Sequence, residues 1–260
     1  MKRLLRTIIP AAGAGTRMGL AYPKTLYPLA GTTLLGHILN TLANLTDETV
    51  VVVSPSGETP VREFLSSRRE RRVKTAVQRT PVGMADAVRV GLAAFAPDEN
   101  CDYLIVWGDQ ATVRRETLER VLSEHRAAGA WLSFPTSRRR EPYIHVERDA
   151  AGRVCGVLER REGDVMPGEG ENDCGVFVAR GEVLARGIEE LEAATRDATR
   201  QRYTRLDGRA SATGEFNFLP LIALWARQGK LVAALPIAHD FETQGINTPD
   251  DAARVAGLLA

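Results

Sequence analysis

The chain has 260 residues, of which 44% are hydrophobic and 26% charged, and its formal net charge is +1. It is long enough for one large α/β domain with a substantial core. A balance this close to neutral gives no general polyanion-binding signal, and no apolar run approaches the ~20 residues of a membrane span.

A short apolar strand is predicted over 4–10. It runs into a loop of Ala11, Ala12, Gly13, Ala14, Gly15, Thr16, Arg17 and Met18, followed by Pro23-Lys24-Thr25. Leu34, Leu35, Ile38, Leu42 and Leu45 at helical spacing predict a helix over 33–45. The valine run over 49–53 predicts a strand covered on both faces. A strand over 73–77, a helix over 83–95, a strand over 103–107 and a helix over 116–128 follow. This alternation predicts an α/β fold with a doubly wound, mostly parallel sheet.

The second half is more mixed. Strands are expected over 131–135, 143–147, 154–159 and 174–178, with a hairpin turn over 149–152. The glycine-rich, acidic stretch 163–171 reads as a loop, and the polar stretch 196–212 as disordered or lid-like. Helices over 215–227 and 250–259 and a strand near 231–236 complete the chain.

Three widely spaced cysteines (Cys101, Cys155, Cys174) give neither a disulfide framework nor a zinc spacing, and the four histidines form no ligand pair. Met1-Lys2-Arg3 leads straight into a strand, not into a secretory leader, so a cytoplasmic protein is expected. The runs Arg68-Arg69-Glu70-Arg71-Arg72 and Arg138-Arg139-Arg140 read as solvated surface, and no nucleic-acid or membrane partner is expected.

The loop after the first strand carries the chemistry. A dinucleotide fingerprint from Gly13 needs glycine where Met18 stands, and a phosphate loop ending in Lys24-Thr25 needs glycines at Met18 and Pro23. Both patterns fail. Small residues still let a backbone come close to a ligand, and successive N–H groups make a concave anion site. Ala11, Ala12, Gly13, Ala14, Gly15 and Thr16 form a candidate triphosphate cradle, with Arg17 and Lys24 placed to neutralise the phosphates. In a parallel sheet ligands bind outside the carboxyl ends of strands. The cradle and Asp109, a carboxylate placed to hold Mg²⁺, would both lie on that edge.

Gly13-x-Gly15-Thr16-Arg17-Met18 with Pro23-Lys24 resembles the signature of the sugar-1-phosphate nucleotidyltransferases, most closely their uridyltransferase and thymidylyltransferase members. Val77-Gln78-Arg79-Thr80-Pro81-Val82-Gly83, Val106-Trp107-Gly108-Asp109-Gln110, the stretch 152–161, Asp173-Cys174-Gly175 and Gly245-Ile246-Asn247-Thr248-Pro249-Asp250 resemble further family segments, in family order. The resemblance implies one nucleotidyltransferase domain over 1–260, with a nucleotide-binding half over 1–130 and an acceptor-binding half over 131–260. It implies Gln78 and Gly83 as readers of a pyrimidine base, with UTP or CTP favoured. Asp109 and Asn247 would hold Mg²⁺, and Glu159, Arg161 and Asp173 would meet a small phosphorylated acceptor. Asn247 is equally placed to cap the helix that follows. Arg161 stands where the family has lysine, Asp173-Cys174-Gly175 replaces its Asn-Thr-Gly-like run, and Pro220 replaces an aspartate. These departures leave open a cytidylyltransferase for a non-sugar acceptor, or a nucleotide sensor without turnover; a homo-oligomer is open as well.

Overall fold

The computed structural model describes residues 3–13, 15, 18–98 and 100–259. The chain builds an eight-stranded sheet. Its parallel half holds β1 (Leu4–Pro10), β2 (Glu48–Val53), β3 (Val73–Val77) and β4 (Cys101–Val106), in the spatial order β3-β2-β1-β4. Helices α1 (Leu34–Leu42), α2 (Glu58–Ser67) and α3 (Met84–Ala93) make the crossovers. Strand order reverses beside β1, so the crevice beyond the ends of β1 and β4 is the topological switch point where such sheets bind ligands.

Alternation along β1 divides the core. Leu5 and Ile9 join Leu35, Ile38 and Leu42 of α1 in one buried layer, and Ile8 joins Ala85 and Val88 of α3 in the other. Val50 and Val52 face one layer and Val51 and Val53 the other, as a strand covered on both faces requires. Each such side chain, fully buried, contributes about 1.5–3 kcal/mol.

Helix α4 (Arg115–Ala128) leads into the mixed half. There β5 (Leu132–Arg140) is followed by the separate antiparallel hairpin β6 (Ile144–Arg148) and β7 (Val154–Glu159). Strand β8 (Glu169–Asp173) runs antiparallel to β5, and β9 (Val176–Arg180) runs antiparallel to both β4 and β5. Helices α5 (Gly181–Thr195) and α6 (Pro220–Arg227), strand β10 (Val232–Leu235), parallel to β5, and helix α7 (Pro249–Leu259) complete the fold.

Several expectations are corrected. Part of the acidic stretch read as a loop is β8, held at the sheet edge by its antiparallel pairing with β5, with ion pairs along it. Arg140 pairs with Glu169 at 3.4 Å and Arg148 with Glu171 at 2.7 Å, while the run 138–140 stays largely solvated, as expected. The stretch 196–212 is tied down. Arg196–Asp197 pairs with Arg202–Tyr203, Arg205 pairs with Asp164 at 2.9 Å, and Glu162 accepts from Ser211, Ala212 and Thr213. The helix expected from 215 begins only at Pro220, because Phe216 and Asn217 serve other contacts. Helices α2 and α5 have no counterpart in the sequence reading. α2 buries only Val61 and Leu65, too few for a visible period. α5 buries Val183, Leu184, Ile188 and Leu191 at helical spacing, a usable signal beneath its many charges.

Candidate active site

The end of β1 and the loop after β4 are locked together. Gly108 N donates to Pro10 O at 3.0 Å, and a Cβ on Gly108 would come within 2.8 Å of that oxygen. Glycine is required for this approach. Ala11 N donates to Val52 O at 2.7 Å, which fixes the entry of the cradle. Ala12 is buried, Gly13 is exposed, and Gly15 has φ +60 with its Cα against the Lys24 stem. Ala14, Thr16 and Arg17 lie outside the described residues.

Lys24 opens a short 3₁₀ turn after Pro23 and points into the crevice. Its Nζ donates to Asp109 Oδ2 at 2.9 Å and to Asn247 Oδ1 at 3.2 Å. Three predicted site residues separated by as many as 223 positions therefore meet at one point. The last turn is brought there by Ile246 N, which donates to Asp109 O at 3.1 Å. Asn247 is not the cap of α7. Asp251 Oδ2 accepts from Asn247 N and Thr248 N at 3.0 and 2.9 Å, and Thr248 Oγ1 accepts from Asp251 N at 3.1 Å. This reciprocal box makes Thr248 the cap and leaves the Asn247 amide oxygen turned to Lys24.

Gln78 is buried at the end of β3, and its Nε2 donates to Gly83 O at 3.1 Å and Asp86 Oδ2 at 2.7 Å. Both partners are acceptors only, so the amide nitrogen must face them and the carbonyl oxygen the opposite way. Asp86, which sequence reasoning did not single out, thus sets the orientation of Gln78; it is itself paired with Arg89. Gly83, with φ +138, packs against the Phe216 backbone, where any side chain would collide. Phe216 N donates to Val82 O at 2.7 Å and Phe216 O accepts from Ala85 N at 2.9 Å, so the segment before α6 is stitched to the loop between Gln78 and Gly83.

The residues expected to meet the acceptor gather around Glu159, at the end of β7 and buried. Asn217 Nδ2 lies 2.7 and 2.6 Å from its two oxygens, and Arg161 Nε lies 3.5 Å away. Burial pushes the Glu159 carboxyl up to about 7, against the opposing effects of Arg161 and Asn217. Arg161 also reaches Glu215 at 3.2 Å, so two carboxylates engage it. Asn217 is a further residue missed in the sequence; only its neighbours Gly214-Glu215-Phe216 hinted at it. Glu159, Glu215 and Asn217 line a cavity of about 240 Å³ together with Arg205 and Ser211.

Asp173 lies between the two groups. It is buried, its Oδ2 accepts from Gly175 N at 3.0 Å, and Gly175 O accepts from Trp107 N at 2.9 Å. Burial, with a smaller push from Asp109 and against the Gly175 N–H, raises its carboxyl to about 6.

Among the described residues no three His, Cys, Asp or Glu side chains converge as a metal cage, and no helix is long and apolar enough to cross a membrane. Asp109 and Asn247 instead offer two hard oxygen donors, already shared by one cation, the Lys24 ammonium. Such a sparse oxygen set fits Mg²⁺, which keeps waters and phosphate oxygens in its shell.

Residues 7–204 match the model of the MobA-like NTP transferase domain. The chain is 31% identical over 250 residues to the bifunctional protein GlmU of Alkalilimnicola ehrlichii, covering 95% of this chain and 49% of that one. It is 32% identical over 255 residues to the bifunctional protein GlmU of Kineococcus radiotolerans, covering 97% and 48%. The corresponding protein of Thermobifida fusca is 28% identical over 259 residues. The chain thus spans about half the length of these relatives. The resemblance read from the cradle is borne out: the chain belongs to the MobA-like NTP transferase domain family.

Proposed function

We propose that this chain is a Mg²⁺-dependent nucleotidyltransferase that joins a pyrimidine nucleoside triphosphate to a sugar 1-phosphate or a similar small phosphorylated acceptor. The convergence of Lys24, Asp109 and Asn247 beside the glycine loop is the observation that carries this reading. A phosphate-monoester acceptor, with a second pKa of about 6, is largely dianionic at neutral pH and needs no general base. Its oxygen attacks the α-phosphorus, the bond to the bridging oxygen breaks, and pyrophosphate leaves. The protein has to align the two substrates and neutralise charge.

Backbone N–H groups of the cradle, Lys24 and Arg17 serve the triphosphate. Asp109 and Asn247 would hold Mg²⁺, which when bound supplies positive charge to the α-phosphate and the leaving pyrophosphate. Gln78 presents a carbonyl oxygen, a partner for an N–H on a pyrimidine edge. Glu159, oriented by Asn217, accepts hydroxyls of the acceptor, and Arg161 sits where an acceptor phosphate would be met. The uridyltransferase-like loop favours UTP, while Asp173, Arg161 and Pro220 mark the acceptor as the point of departure from the family pattern. A matrix of four nucleoside triphosphates against phosphorylated sugars, cyclitols and polyols, read as pyrophosphate release, tests the reaction and names both substrates. A sensor without turnover would bind a triphosphate and release no pyrophosphate with any pair.

A further inference from the structure

Asp109 Oδ2 and Asn247 Oδ1, the two oxygens that would hold Mg²⁺, already accept from one cation: Lys24 Nζ lies 2.9 Å from the first and 3.2 Å from the second. An ion bound to both would take the oxygens the ammonium now engages. A divalent cation and an ammonium cannot share that space, because two like charges at contact distance in a partly buried crevice repel strongly. The side chains of Lys24 and Asp109 are 18% and 22% exposed, so the pair is shielded yet open to exchange. A lysine on a flexible four-carbon stem can leave, given another anion within reach. Gly15 packs on the lysine stem, a Cβ there standing 3.2 Å from Lys24 Cβ, so a phosphate carried on the proposed glycine cradle would be within reach of the ammonium.

We propose that Lys24 is an internal competitor for the metal site, so that the divalent cation is taken up together with a polyphosphate whose anionic oxygens draw the ammonium away from Asp109 and Asn247. The inference rests on the reading of Asp109 and Asn247 as metal ligands and adds the form in which the metal arrives. Lys24 then has two stations: on the ligands before substrate enters, and on phosphate afterwards. When a competent state is a minority, apparent affinity falls by its fraction; a tenfold preference for the engaged lysine lowers metal affinity about tenfold.

Equilibrium dialysis of Mn²⁺ against the full chain, without nucleotide, tests this. Wild type should retain Mn²⁺ weakly, and Lys24→Met should retain it about tenfold more tightly. Adding Asp109→Asn to Lys24→Met should abolish the gain. Inorganic tripolyphosphate should let wild type retain Mn²⁺ at concentrations where the protein alone does not. Lys24→Gln carries the same expectation as Lys24→Met, and near-ultraviolet circular dichroism identifies whichever variant keeps the native fold. Equal Mn²⁺ affinity in wild type and the folded variant overturns the proposal, as does a wild type that binds Mn²⁺ equally well with and without tripolyphosphate. Pyrophosphate release by wild type alongside either of those results removes the competitor and leaves the transferase reading standing. The expected Mn²⁺ gain with no pyrophosphate from any substrate pair keeps the competitor and removes the transferase reading.

Discussion

The Phe216 carbonyl occupies the space where Gly83 would carry a side chain, and the Phe216 N–H donates to the Val82 carbonyl at 2.7 Å. Base-side and acceptor-side segments, more than a hundred residues apart in sequence, are thereby held together. Gly83→Ala has to push this strap away at a backbone conformation that only glycine adopts easily. A loss of about 2–3 kcal/mol is expected, measured by urea unfolding. Gly13→Ala is the contrast: a Cβ there meets nothing within 4 Å. Its stability should change by no more than about 0.5 kcal/mol, while activity falls if the loop approaches phosphate.

Asp86 dictates which way the Gln78 amide points, and in the proposed reading its carbonyl oxygen then faces the base. Asp86→Asn offers a donor as well as an acceptor and so lets the amide turn over. The ratio of kcat/KM for UTP over CTP should shift by about tenfold, since a mismatched hydrogen-bonding edge leaves a buried group unpaired. Gln78→Ala should lower that ratio toward unity and leave the metal requirement intact. An unchanged ratio in both variants would remove Gln78 from base reading.

Glu159 makes stability depend on pH. Its carboxyl is raised from 4.5 to about 7 by burial, so the folded state binds its proton more tightly than the unfolded chain does. Its contribution is therefore fully present below about pH 4.5 and is lost as pH rises through about 7. Between those limits the loss amounts to about 3 kcal/mol. Glu159→Gln, which does not titrate, should gain stability over wild type by that order between pH 5 and 8 in paired urea titrations. Parallel curves for the two proteins would show that Asn217 and Arg161 fully offset burial.

The parallel half of the fold was legible because its strands are short segments rich in β-branched and apolar residues, and Val73–Val77 and Leu4–Pro10 fall on their expected bounds. Lys24, Asp109 and Asn247 were legible because each sits in a short segment of distinctive composition. What stayed hidden depends on partners far away in sequence. Strand β8 exists by pairing with the distant β5, where its glutamates face arginines of β5 and β6, so its own glycine and glutamates misdirect a local reading. Asn217 acquires its role only when the β6–β7 hairpin delivers Glu159 to it, and Asp86 only when helix α3 turns it toward Gln78. Thr248 outcompetes Asn247 as the cap because Asp251 completes a reciprocal pair, a spacing present in the sequence and overlooked in it.

The central claim is that Lys24 and Asp109 form one catalytic centre for nucleotidyl transfer. Pyrophosphate release with the best substrate pair, in wild type, Lys24→Ala and Asp109→Asn, tests it most directly. Removing preorganised charge stabilisation costs about 2.7–4 kcal/mol in comparable transition states. Each variant should therefore lose about a hundredfold or more in kcat at near-native stability, and excess EDTA should abolish wild-type turnover until Mg²⁺ is restored. Near wild-type release by both variants, or full activity in EDTA, would contradict the account.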